Sequence, residues 1–471
     1  MTLKSLKATM TSFSVEEISQ AVERHRPAFA PYEELYKHLH AHPELSHQEF
    51  NTAKYVANKL QQLSIPDLQI HTGIGGTGVV AVLRNNSNSN SNDGQNGPAG
   101  PTVLLRAELD GLPVHEQTNL HYASKQTTQD ANDDNKLKPT MHACGHDMHM
   151  ACLLAATEAL TSTPLRARWH GTLVILFQPA EESGDGATGM ISDGLFSPNS
   201  PHKIPIPDVF LGQHVLAARA GTMGMKPGAQ MAASDCLKVT FHGRGGHASM
   251  PQFTIDPIVM ASSAVVRLQT IASREVTSGS VEGLGVVSVG SLHAGSAPNI
   301  IPATAEMEVN VRTADEETRA RVLASVERIV RAESMASGAE REPEIRRTLS
   351  FPVTVNDGAV TERLGVTFER LFGDGGSGEG GGLFRFCPDW PRSNASEDFG
   401  CLGAAVGKPS CFWFFGGVDP QVWDEAERNG TIAKDVPVNH SPFYAPVIQP
   451  TMRVGIDALV GAALTFLGKR G

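Results

Sequence analysis

The sequence predicts an α/β fold, a mostly parallel sheet with helices, into which a smaller α+β sandwich is inserted. Three observations lead there. Apolar runs that each end in residues capable of chemistry, VLLRAELD, LVILFQPAEE and DVFLGQHV, are interspersed with helical stretches such as the one beginning at Asp147, the pattern of parallel strands joined by crossovers. After Gly228 the order becomes strand, helix, strand, strand, helix, strand, which is that of a small sandwich. The length of 471 residues exceeds the size at which one core usually stops growing, so two domains are expected. Residues 1–230 read as the first part of the larger domain, 231–350 as the insert and 351–471 as the return.

Taken in order, residues 1–25 read as a tail: MTLKSLKATMTSFSVEEIS lacks the apolar stretch of a secretion signal and matches a mitochondrial presequence only weakly, having no arginine. Pro31 and YEELYKHLHAH predict a short helix, and Ser46 followed by Glu49 forms a capping-box signature for a second, EFNTAKYVANKLQQL. HTGIGGTGVVAVLR contains a GxGGxG run, but a β-branched strand follows it and no helix, so it reads as a turn into a strand and not as a phosphate cradle. Residues 85–100 are low-complexity and polar, the composition of a disordered loop between two strands. In the insert, an apolar helix runs from Asp256 to Ile271, and EETRARVLASVERIVRAE forms a charged one. The return holds a Gly-rich loop, GDGGSGEGGG, a buried strand, CFWFFGG, and a helix from about Pro450.

The densest chemistry is HACGHDMHMA, His142 to Ala151. His142, Cys144 and His146 alternate, so on an extended backbone their donor atoms converge, and Asp147 stands where an N-cap belongs, with His149 in the first turn. A thiolate and imidazoles suit a borderline-soft divalent ion such as zinc, and manganese or cobalt would be held by the same donors. Glu181 and Glu182 follow a strand and a proline; on extended backbone adjacent side chains point apart, so one can ligate while the other acts as general base. Asp110 ends its strand and could steady a ligand, while His214 and His440 take meaning only in this company.

A net charge of −11 argues against nucleic acid or an anionic membrane as partner. Six cysteines at irregular spacings form no disulfide framework, which fits a reducing, cytoplasmic setting. No run approaches 18 uncharged apolar residues, so no membrane span is expected.

MHACGHDMHMA, FQPAEESGDGA, RAELDGLPV, GQHV, GRGGHASMP, SAPNIIPATAE, ASEDF and NHSPFY together resemble the aminoacylase-type metallopeptidase family, in its amidohydrolase branch with hippurate hydrolases and indole-acetyl-amino-acid hydrolases. The resemblance covers nearly everything from about Pro31 onward. It implies a catalytic domain with two divalent metal ions, zinc or manganese, held by Cys144, His146, Glu182, His214 and His440. Glu181 would be the general base, and Asp110 would orient the centre. It further implies a satellite domain serving as lid and homodimer contact, in which His247 stabilises the oxyanion and Asn299 and Arg312 grip the substrate carboxylate. RAELD in place of RADMD, GQHV in place of GLHV, and SMPQ without the usual histidine bear on substrate preference and leave the ligands intact. The implied activity is hydrolysis of N-acyl amino acids. A dipeptidase or carboxypeptidase with the same centre is the near alternative, and a non-catalytic metal-binding protein the remote one, disfavoured by the spare carboxylate of Glu181.

Overall fold

Strands Thr102–Glu108 and Trp169–Gln178 run parallel with Glu108 opposite Gln178, so the chain leaves both at one edge of the sheet. The computed structural model describes residues 12–85, 100–130, 136–276, 284–373 and 384–470. The predicted loop at 85–100 and the Gly-rich loop fall almost wholly outside them. Two compact units emerge: Met1–Gly228 with Val355–Pro391 and Cys401–Gly471, and Ala229–Thr354 with Arg392–Gly400.

In the first unit the sheet order is Gln69–Ile74, Gly78–Asn85, Trp169–Gln178, Thr102–Glu108, Val209–Arg219, Ser410–Val418, Thr222–Gly224 and Arg385–Cys387. The four strands from Trp169–Gln178 to Ser410–Val418 are parallel, as expected, and antiparallel pairs flank them. These central strands are buried along almost their whole length, hence their continuous apolar runs. Helices His146–Thr161 and Thr451–Phe466 pack together and onto the sheet. Trp169, Trp413, Phe177 and Phe415 are fully buried, each contributing roughly 1.5–3 kcal/mol of apolar transfer.

Three local expectations are corrected. The stretch read as a tail contains helix Val15–His25, closed by a capping box between Ser14 and Glu17 and buried through Ile18, Ala21 and Val22. Asp147 is not an N-cap: helix His146–Thr161 starts from Gly145, at φ +84°, where an added Cβ would lie 2.3 Å from Val215 Cγ1. Only glycine fits that corner. Ser46 and Glu49 form no capping box; Glu44 takes the amide of Thr52 in the first turn of helix Phe50–Gln62 at 2.8 Å.

The second unit is a four-stranded antiparallel sheet in the order Gly285–Ala294, Thr304–Thr313, Ala233–His242, Glu344–Phe351. Helices Pro257–Arg274 and Glu316–Ala336 bury its apolar face, where Phe241, Met260, Met307 and Val326 meet. Alternate residues of Thr304–Thr313 are buried, the period of a sheet covered on one side. Arg392–Gly400, expected with the larger domain, goes with this unit because the Ala232 amide bonds the carbonyls of Ser393 and Ala395.

Candidate metal centre

Strand register brings the site together. Arg106 pairs with Gly212, which sets His214 level with Glu108, while Pro179 and the two glutamates follow Gln178. Helix His146–Thr161 begins at this edge, and His440, at φ +70°, donates its amide to the Ala143 carbonyl at 2.8 Å. Cys144 Sγ lies 3.4 Å from His214 Nε2 and 3.2 Å from His440 Nε2. Glu182 Oε1 is 3.4 Å from His440 Nε2 and 3.9 Å from His146 Nε2, and Glu181 Oε2 is 3.8 Å from the same His146 atom. The donor sets Cys144–His146–His214 and Cys144–Glu182–His440 therefore share the cysteine.

The tautomers suit ligation. His146 Nδ1 donates to the Asp110 carbonyl at 2.8 Å and His214 Nδ1 to the Val215 carbonyl at 2.8 Å, which turns both Nε2 atoms into the site. His146 Nε2 and Glu182 Oε1 are buried without a hydrogen-bond partner. Orphaned buried polar atoms are costly, and a cation among them would satisfy both. Burial disfavours the His146 imidazolium, yet Asp110, Glu108 and Glu182 outweigh it and hold the ring up at about 10. A field that keeps a proton on Nε2 also favours a divalent cation there. Burial, then Glu182 and Glu181, push the Cys144 thiol well up, so it becomes a thiolate only beside a positive charge.

Asp110 accepts from the Glu182 amide at 2.9 Å and from Ser46 Oγ at 2.7 Å. Burial opposes its ionisation, but His146, the Glu182 amide and Ser46 prevail and hold it below the usual range. His142 is a correction: residues 143 and 144 form a turn, not an extended strand, so His142 does not join the donor sets. Burial lowers it to about 4, leaving a neutral ring.

In the second unit, His247 lies on a two-stranded ribbon opposite Ile300, its Nδ1 accepting from the Ser249 amide at 3.1 Å. The Asn299 carbonyl accepts from the Ala248 amide at 3.0 Å, so His247 and Asn299 are neighbours. Arg312, on strand Thr304–Thr313, donates Nη1 to the Asn394 carbonyl at 2.7 Å.

Two residues have roles that the motifs do not assign. His149 bridges Glu108 Oε2 at 2.6 Å and the Val215 amide at 2.8 Å, so both its nitrogens are used and it steadies the backbone after His214. Asn439 Nδ2 donates to the Val215 carbonyl at 3.1 Å and the Cys144 carbonyl at 3.3 Å. Its place immediately before His440 was the one available signal.

A parallel sheet whose carboxyl edge gathers a thiol, three imidazoles and two adjacent acids, with a sandwich inserted in the chain, defines a metal-dependent hydrolase. Residues 104–429 match peptidase family M20/M25/M40, and the chain belongs to that family, in its amidohydrolase branch. It is 36% identical over 343 residues to hippurate hydrolase of Campylobacter jejuni, covering 73% of this chain and 79% of that one. It is 34% identical over 339 residues to N-acetylcysteine deacetylase of Bacillus subtilis, covering 71% and 78%. A dinuclear metal binding peptidase of the M20 family from Bacillus subtilis superposes with a TM-score of 0.67 at 25% identity, covering 94% of this chain and 98% of that one. The chain is an amide-bond hydrolase. No helix among the described residues is long and apolar enough to cross a membrane.

Proposed function

We propose that the chain hydrolyses N-acyl amino acids to a carboxylic acid and an amino acid, using two divalent cations, zinc or manganese, held by Cys144, His146, Glu182, His214 and His440. The observation that carries this is the pair of overlapping donor sets with a second carboxylate, Glu181, beside them. When bound, the cations acidify water and polarise the scissile carbonyl. Glu181 takes the proton from the attacking water and returns it to the leaving amine, the work of a buried carboxylate that ligation does not consume. Asp110 holds His146 by its carbonyl and the Glu182 amide by its carboxylate, so one residue keeps both ligands in register. His247 donates to the oxyanion, and Asn299 and Arg312 receive the substrate carboxylate, for which a guanidinium is suited. The sandwich also serves as the contact of a homodimer. Six free cysteines support a reducing, cytoplasmic setting.

The test is release of amino acid from N-acetyl-methionine and hippurate beside a panel of dipeptides, with enzyme reconstituted in zinc or manganese. N-acyl substrates are expected to turn over fastest. Faster turnover of dipeptides with a free amine would replace the proposal by a dipeptidase.

A further inference from the structure

Ser46 and Glu49 carry the signature of a capping box, yet neither side chain bonds an amide of helix Phe50–Gln62, although Glu49 stands at its N-cap position. Glu44 does that work, accepting from the Thr52 amide at 2.8 Å, from Thr52 Oγ1 at 2.9 Å and from Asn51 Nδ2 at 2.7 Å. Glu49 is thereby released, and its buried carboxylate turns to the chain leaving strand Trp169–Gln178. Glu49 Oε1 accepts from the Ala180 amide at 2.8 Å and the His47 amide at 3.0 Å, and Oε2 from Thr77 Oγ1 at 2.7 Å. Ala180 stands at φ +51°, a conformation that non-glycine residues adopt only when the surroundings impose it. Two residues on, the Glu182 amide is held by Asp110, itself steadied by Ser46. Two buried acids thus clamp the amides of residues 180 and 182, on either side of Glu181.

We infer that Glu49 is a positioning residue: by holding Ala180 in its left-handed conformation it aims Glu181 and Glu182, while Ser46 completes the brace through Asp110. This rests on the reading of Glu182 as ligand and Glu181 as base. Metal affinity, which needs no substrate, keeps the two separable: strong binding without hydrolysis of N-acyl amino acids would sink the proposed reaction and leave the brace standing.

The experiment is equilibrium binding of Mn2+ by competition with a chelating dye, with turnover measured in parallel. Glu49→Ala is expected to weaken Mn2+ binding by about 10–100-fold, the usual effect of removing a group that orients a ligand. Glu49→Gln keeps an acceptor for the Ala180 amide and is expected to recover most of the affinity. Adding Ala180→Gly to Glu49→Ala should recover part of it, since glycine takes positive φ without strain; a merely structural role would not respond to that change. Glu44→Ala, which removes the acceptor on the Thr52 amide in the first turn, should lower the melting temperature and leave Mn2+ affinity unchanged. Wild-type affinity in Glu49→Ala, or a loss that neither glutamine nor Ala180→Gly relieves, would overturn the inference. Should Glu49→Ala not fold, Thr77→Val removes only the hydroxyl on Oε2 and must weaken Mn2+ binding in the same direction; wild-type affinity there would equally overturn it.

Discussion

His40 lies buried between two carboxylates, its Nδ1 2.6 Å from Asp147 and its Nε2 2.9 Å from Glu116. Burial works against its charge, but the two acids prevail and raise it from 6.5 to about 9. A histidine raised in the folded state stabilises fully below its unfolded value, and that contribution fades as pH climbs through the folded one. Between about pH 6.5 and 9 the wild type should therefore lose roughly 3 kcal/mol that His40→Ala never had. Denaturant unfolding of both proteins at pH 6 and pH 9.5 checks this; identical pH slopes would remove His40 as a charged strut. Legibility at this scale follows sequence distance. The residues Cys144, His146, Glu181 and Glu182 were readable because their neighbours share their chemistry. Glu49 and Asp147 have the local look of capping side chains, but their partners, Ala180 and His40, lie 131 and 107 residues away.

The elements were legible where periodicity was strong. The central strands and helices Pro257–Arg274 and Glu316–Ala336 follow from apolar runs and charge pattern, and the structure adds side-chain caps at Asp256 and Asp315. Helix Val15–His25 follows a Lys-, Ser- and Thr-rich stretch whose composition resembles a weak targeting segment and hides it, although Ser14 and Glu17 stand at capping-box spacing. Segment 86–99 joins two strands that flank Trp169–Gln178: Asn85 pairs with Gly171, and Thr102 with Thr172. Its ends are thus about two strand spacings, roughly 10 Å, apart. Replacing 86–99 by a four-residue Gly/Ser linker should leave activity and melting temperature nearly unchanged, since a short linker spans that gap and shortening a loop between ends already held close costs little. A large loss in either would show that the segment contributes to the fold.

Across the whole molecule, the larger unit carries the proposed ligands and base, and the inserted unit carries His247, Asn299 and Arg312. If Arg312 receives the substrate carboxylate, Arg312→Ala should lower kcat/KM for N-acyl amino acids by on the order of 2–5 kcal/mol while sparing the matching N-acyl amines. Equal losses on both would reject that role. The division into units was legible from the change of pattern after Gly228, but the assignment of Arg392–Gly400 was not, because backbone pairing with Ala232 leaves no side-chain signature. The central claim is that two chemically identical neighbours divide the labour, Glu182 holding metal and Glu181 moving the proton. Its most direct test is the metal-to-protein ratio of Glu181→Gln, measured beside its turnover. The variant should keep the wild-type metal content while turnover falls by roughly 10²–10⁴. A metal-depleted Glu181→Gln, or one that turns over at the wild-type rate, would contradict the account.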